Sequence, residues 1–192
     1  GGHFSRIRAQ SISQIEELDL PGTAIGGLSL GESRSQFETT IGETGTLLDS
    51  SRPHYLMGVG SPDLILCGVE HGIDLFDSVY PTRIARNAQA LTRSGPLSLR
   101  SGIAADREEP IDSKCGCLVC DSHSRAYLRH LFKSKEIMAP ILTTYHNLAF
   151  LSDLMNAIRT SISSGNFLTL KNNFLEEYLF SSENSENTGL GK

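Results

Sequence analysis

Three cysteines and a histidine are the residues best able to do chemistry here. They are Cys115-Gly116-Cys117-Leu118-Val119-Cys120, with His146 following after 25 intervening residues. Three thiolate sulfurs and an imidazole nitrogen make a soft, four-donor set that suits tetrahedral zinc, and four protein ligands make a closed, structural site. Buried apolar thiols or a disulfide are the plainer alternative, but Cys115 and Cys117 are too close in sequence to pair easily. Cys67 sits in an apolar run and reads as core. A second centre is Asp77, a carboxylate directly after Leu75-Phe76, where it could serve as a nucleophile or a general base. It could equally cap a helix or pair with Arg83 or Arg86, which follow in Pro81-Thr82-Arg83-Ile84-Ala85-Arg86. Those two arginines suit phosphate contacts or a solvated loop.

These residues need elements to hold them. Phe4, Ile7, Ile12, Ile15 and Leu18 recur near helical spacing and predict a helix over 4–18. A short buried strand over 22–27 ends in Gly26-Gly27. A helix over 32–48, interrupted by Gly42 and Gly45, leads to a second strand, His54-Tyr55-Leu56-Met57, ending at Gly58. Ser61-Pro62-Asp63 starts a helix that runs to about His71, with Ser61 as N-cap, and Gly72 stops it. A third strand covers 73–79. Residues 88–100 form a hairpin around Ser94-Gly95-Pro96. Helices follow over 122–134, 136–163 and 167–179, with breaks expected at Pro140 and Gly165. The Ser/Asn/Glu-rich segment 181–192 reads as disordered.

Strands alternating with helices imply parallel βα units, either in an open doubly wound sheet or in a (β/α)8 barrel. No Gly-x-Gly-x-x-Gly follows a strand, which disfavours dinucleotide binding. In a barrel, chemistry gathers at the C-terminal strand ends. Here the first end is Gly26-Gly27, open to close backbone approach. The second is Met57-Gly58, whose Met57 is a polarisable side chain or plain core filler. The third is Asp77. Three strands cannot close a barrel, so the segment reads as about half of a domain.

Composition narrows the class. The chain has 192 residues and a net charge of -5. Residues 83–135 nevertheless hold 10 Lys/Arg against 5 Asp/Glu, a basic segment on an acidic chain and a candidate phosphate-binding face. There is no apolar run of membrane-spanning length and no secretory h-region, and the first residue is not Met, as in a processed or truncated chain. Free thiols without a disulfide framework point to a reducing compartment, the cytoplasm.

Several segments, taken together and in order, resemble tRNA-guanine transglycosylase. They are Gly26-Gly27-Leu28-Ser29-Leu30-Gly31-Glu32, Arg52-Pro53-His54-Tyr55-Leu56-Met57-Gly58-Val59-Gly60, Gly72-Ile73-Asp74-Leu75-Phe76-Asp77, Pro81-Thr82-Arg83 with Arg86-Asn87, the Cys115/Cys117/Cys120 run, Ser124-Arg125-Ala126-Tyr127-Leu128 and His146-Asn147. The match covers most of residues 1–180 and is to the C-terminal half of that enzyme. The resemblance implies an α/β fold, the C-terminal part of a (β/α)8 TIM barrel with an inserted structural zinc-binding subdomain. Residues 1–100 would be the partial barrel with the nucleophile strand, 101–146 the zinc subdomain, 147–180 C-terminal helices and 181–192 a disordered tail.

It also implies an activity: exchange of guanine at the anticodon wobble position of tRNA for a 7-deazaguanine base, through a covalent aspartyl-ribose intermediate. By similarity Asp77 is the nucleophile, and Gly27 and Leu28 offer backbone groups to the base. Met57 packs on its face, Arg83 and Arg86 hold the anticodon-loop backbone, and Cys115, Cys117, Cys120 and His146 bind Zn2+. Ser78 stands where bacterial relatives often carry Cys. Leu30 stands where relatives often have Val or Gly, which favours a small, preQ1-like aminomethyl base over queuine. The family's general base and its guanine-recognising carboxylate fall in the N-terminal half. The chain alone is therefore expected to be inactive, or nearly so, until joined by that half. The family commonly forms homodimers. Two other readings remain at this point, a non-catalytic partner subunit and a zinc-stabilised tRNA-binding module.

Overall fold

The computed structural model describes residues 2, 4–104 and 107–186 and divides into two compact units, Gly1–Tyr80 and Pro81–Lys192. The boundary at Tyr80/Pro81 puts the hairpin, read above with the barrel strands, in the same unit as Cys115, Cys117 and Cys120.

The first unit is an α/β arrangement. Helix α1 (Ser5–Glu16) precedes β1 (Thr23–Ile25), α2 (Arg34–Gly45), β2 (His54–Leu56), α3 (Pro62–Glu70) and β3 (Leu75–Phe76). The strands form one parallel sheet in the order β1-β2-β3, with Ile25 opposite Leu56 and Leu56 opposite Phe76. Ile25, Leu28, Phe37, Ile41, Leu48, Leu56, Val59, Cys67 and Ile73 form the core, so Cys67 is a core residue as its apolar run predicts. Helix α2 is started by a reciprocal capping box between Ser33 and Gln36, worth about 1 kcal/mol. Ser61 sits at the N-cap of α3 with Pro62 in the first turn, but its side chain makes no capping bond. Asp63 instead pairs with Arg34 at 2.6 Å.

Three expectations change. Gly42 and Gly45 do not interrupt α2. They thin one face of it, and a Cβ on Gly45 would collide with the His71 carbonyl. The third strand shrinks from 73–79 to Leu75–Phe76. The periodicity of α1 misleads as well: Phe4, Ile7, Ile15 and Leu18 stay exposed, and the buried residue of the helix is Arg8.

The second unit opens with α4 (Tyr80–Arg86), which begins at the last residue of the first and puts Arg83 and Arg86 on a helix, not on the solvated loop that is one of their two readings. It continues with the hairpin β4 (Gln89–Thr92) and β5 (Gly95–Ser98), then α5 (Leu118–Ser122), α6 (Arg125–Lys133), α7 (Met138–Ser163) and α8 (Phe167–Glu186). The hairpin pairs Thr92 with Gly95 and Leu91 with Pro96. Helix α7 packs against β4, α5 and α6, and α8 packs against β5 and α7. The helix predicted over 122–134 begins later, at Arg125, because His123 is extended and Ser124 caps α6 through the Tyr127 N–H; the short α5 before it is not among the predicted elements. Pro140 does not break α7. It stands in the first turn, where a missing N–H costs no helical bond. Gly165, at φ +71°, does end the helix. Residues 181–186, expected to be disordered, continue α8, and 187–192 lie outside the described residues. Among the described residues no helix is long and apolar enough to cross a membrane.

Candidate active site and candidate metal centre

Parallel register brings the three unusual strand ends into one row. One residue beyond the Ile25–Leu56–Phe76 register stand Gly26, Met57 and Asp77. The Met57 N–H still donates to the Ile25 carbonyl at 3.0 Å, so the row is held by the ladder itself. Met57 is 47% exposed, which rejects core filler. A Cβ on Gly26 would sit 3.7 Å from its sulfur.

Asp77 is exposed, yet one of its oxygens is fixed. Oδ1 accepts from the Tyr55 hydroxyl at 2.7 Å and from the Gly58 N–H at 2.8 Å. The Gly58 amide first, and the Tyr55 hydroxyl second, hold the carboxyl below its ordinary value. The same bond pushes the Tyr55 phenol up. Among the described residues Oδ2 has no hydrogen-bond partner. The arrangement is thus an ionised carboxylate with one anchored oxygen and one free oxygen, a geometry suited to attack on an electrophilic carbon. Asp74, by contrast, turns back on the chain. Its Oδ2 accepts the His54 N–H at 2.8 Å and its N–H donates to the His54 carbonyl, so it braces β2.

The loop after β1 is closed by Glu32, whose carboxylate accepts the Ser29 N–H and, at 2.8 Å, the Leu30 N–H. Partial burial pushes this carboxyl up. The backbone N–H groups of Glu32, Ser29, Leu30 and Gly31 outweigh that and leave it below the ordinary range. Gly27 adopts φ +72°, Leu28 buries its side chain (3% exposed), and Leu30 is 82% exposed. Among the described residues the backbone polar groups of Gly27 and Leu28 have no hydrogen-bond partner.

In the second unit Arg83 and Arg86 lie three apart on α4, exposed and on one face, and neither joins an ion pair among the described residues. Ser78, which follows Asp77 in the first unit, accepts the Tyr80 N–H at 3.1 Å.

The four metal-binding candidates meet. The sulfurs of Cys115, Cys117 and Cys120 lie 3.8, 3.4 and 3.3 Å from His146 Nδ1, and all four donor atoms fall within 4.8 Å of one another. Tetrahedral zinc bonded to sulfur and nitrogen at ordinary lengths requires S···N separations of roughly 3.6 Å. Donor type and spacing therefore fit zinc. His146 Nε2 donates to the Leu91 carbonyl at 2.7 Å, which fixes the tautomer and leaves the Nδ1 lone pair facing the sulfurs. Burial pushes the Cys115 and Cys120 thiols up and His146 down, states that a divalent cation would reverse for the thiols by displacing their protons. All four cysteines are free of disulfides.

Sequence reasoning missed the supports. Asn147 accepts the Leu91 N–H at 2.8 Å and donates to the Pro81 and Gln89 carbonyls. Asp112 accepts the Arg93 and Lys114 N–H groups at 2.9 and 2.8 Å, shaping the loop into Cys115. Tyr55 had a signal, since it lies two residues before Met57 on a half-buried strand. Asn147 had one in its adjacency to His146.

Comparison with known proteins follows the same residues. A family model described as queuine tRNA-ribosyltransferase matches residues 1–179. A queuine tRNA-ribosyltransferase of Shouchella clausii is 46% identical over 187 residues, 97% of this chain and 49% of the relative. One from Pelotomaculum thermopropionicum is 47% identical over 178 residues, 93% and 48% of the two chains. One from Enterococcus faecalis is 44% identical over 186 residues, 97% and 49%. The chain spans about half the length of the curated relatives it matches. With the row of strand ends and the Cys3His cluster, these matches establish that the chain belongs to the queuine tRNA-ribosyltransferase family.

Proposed function

We propose that this chain carries the nucleophile half of a tRNA-guanine transglycosylase, which exchanges guanine at the anticodon wobble position for a 7-deazaguanine base. The observation that carries the reading is Asp77, with Oδ1 anchored by Tyr55 and Gly58 and Oδ2 free, in one row with Gly26 and Met57. In the proposed reaction Oδ2 forms a bond to C1′ of the wobble ribose. The glycosidic C–N bond breaks and its electron pair leaves on guanine, which takes up a proton. The incoming base then attacks C1′, loses its N9 proton and expels Asp77. The target base must first leave the anticodon stack. Gly27 and Leu28 offer their unpaired backbone groups to it, and the exposed Met57 covers its face. Arg83 and Arg86 contact loop phosphates. A zinc ion held by Cys115, Cys117, Cys120 and His146 stabilises the second unit and has no step in the reaction.

The three strands fit part of a (β/α)8 barrel. Among the described residues β1 and β3 each have one neighbour, and Ile7 and Ile15 of α1, with Phe4 and Leu18 at its two ends, lie uncovered, as expected where more of the barrel would pack. The proton-transferring carboxylate and the one that recognises guanine belong, in this reading, to the half that the resemblance places upstream. A non-catalytic role would leave the anchored geometry of Asp77 without a use. A homodimer in the cytoplasm is the expected setting.

The test is exchange of labelled guanine into tRNA by the chain alone and mixed with a separately made N-terminal half of the Shouchella clausii relative. Exchange in the mixture, abolished by Asp77→Ala, is the expected result. Exchange that survives Asp77→Ala would overturn the assignment. We further propose that Leu30 favours the small aminomethyl base, and equal turnover of that base and queuine would reject this.

A further inference from the structure

Among the described residues of the first unit Arg8 is the one strongly buried charge, 6% exposed on a helix whose apolar residues are largely uncovered. Its guanidinium meets no carboxylate among the described residues. All three of its bonds go to backbone carbonyls: Nε to Gly2 at 2.8 Å, Nη2 to Gly2 at 2.5 Å, and Nη2 to Gly26 at 3.3 Å. Burial without a counter-ion pushes this guanidinium below its ordinary value. A buried cation of this kind costs stability unless its geometry is needed.

The two carbonyls it joins are not arbitrary. Gly26 and Gly27 end β1, and the N and Cα of Gly2 lie 3.7 Å from where a Cβ on Gly27 would stand. Gly2 and Gly27 both take positive φ, +55° and +72°. Arg8 therefore clamps the turn at Gly2 onto the end of β1. A trans peptide is planar, with its C=O and N–H antiparallel. Drawing the Gly26 carbonyl toward Arg8 consequently aims the N–H of Gly27, in the same peptide unit, away from it. That N–H is the unpaired donor offered to the base.

We infer that Arg8 is a positioning residue, whose clamp on the Gly2 and Gly26 carbonyls pre-orients the Gly27 N–H to donate to a flat, carbonyl-bearing base. The inference rests on the base site proposed above. It assigns the orientation of that site to a side chain that does not touch the base.

The experiment uses the full chain labelled with 13C,15N-glycine, in wild type, Arg8→Leu, Arg8→Lys and Ile12→Ala. Ile12 packs on the same core and controls for loosening of α1. Guanine is the titrant, with the unlabelled N-terminal half of the Shouchella clausii relative present in excess. In Arg8→Leu the Gly26 carbonyl and Gly27 amide resonances should move, and guanine affinity should fall about ten-fold, the scale of lost pre-organisation. Arg8→Lys should recover part of both. Ile12→Ala should lower Tm and move neither. Unchanged Gly26 and Gly27 resonances with unchanged affinity in Arg8→Leu would overturn the inference, as would Ile12→Ala reproducing the Arg8→Leu pattern. A wild-type mixture that binds no guanine would overturn the base-site reading itself. That failure is seen before any variant is compared, so it is distinct from failure of Arg8.

Discussion

The two candidate sites are built in opposite ways. The carboxylate site of the first unit lies open at strand ends, and most of its precision comes from backbone, the Gly58 amide, the Gly27 peptide and the ladder bond of Met57, with the Tyr55 hydroxyl as the one side-chain donor to Asp77. The metal centre of the second unit is closed. His146 and Asn147 are fully buried, two of the three thiols are buried, and side chains do the work. In the proposed reading, a site that admits a base keeps its reactive group in water and orients it largely with backbone groups. A site that holds a fold together removes its ligands from water, where every unmet bond is expensive.

That contrast can be broken by experiment. The largest effect should follow metal removal. Zinc in such sets contributes on the order of 10 kcal/mol, so chelation or Cys117→Ser should melt helical structure in the second unit, seen by circular dichroism with metal release. Glycine resonances of the first unit should persist, and their collapse would erase the distinction. Next, Asp77→Ala should abolish exchange yet leave Tm almost unchanged, because its carboxylate is exposed. A large loss of Tm would make Asp77 structural.

Asn147→Ala should destabilise by about 1–3 kcal/mol, since it leaves the buried Leu91 N–H unpaired. Denaturant unfolding with metal bound measures this. Smallest, Tyr55→Phe should slow exchange about ten-fold, less than loss of a donor to a developing charge. It should also shift the acid limb of the pH–rate profile upward. The sign follows from the depressed pKa of Asp77. Its ionised form is favoured in the fold, a contribution present above the unfolded carboxylate value of about 4 and lost as pH falls through the folded value. Removing one donor brings the two values closer. An unmoved limb would mean that Gly58 alone sets the carboxylate.

Much of this was legible in the residues. Cys115, Cys117, Cys120 and His146 declared themselves by type and spacing, because few donor sets serve so few purposes. The parallel βα units and the row of strand ends followed from alternation and from glycine stops at Gly27 and Gly58. What stayed hidden was long-range. Arg8 reads as a surface charge until its carbonyl partners are seen 6 and 18 residues away. Asn147 reads as a polar helix residue until it reaches 56 residues back to Leu91. Pro140 reads as a breaker because residue type does not reveal which turn of a helix it will occupy. The stripe on α1 failed because apolar spacing shows which residues share a face but not whether anything covers it.

The bonds from His146 and Asn147 to Leu91 also bear on self-association. A two-stranded ribbon exposes backbone along its outer margin, and such margins recruit strands from other molecules. Here two neighbouring side chains of α7 occupy both the N–H and the C=O of Leu91, as a third strand would. Because one of the two is also a proposed metal ligand, melting of the unit on loss of the ion would free a template for intermolecular pairing. Raising the concentration of the demetallated chain should therefore drive self-association through its second unit, measured by light scattering, above the range in which first-unit resonances are read.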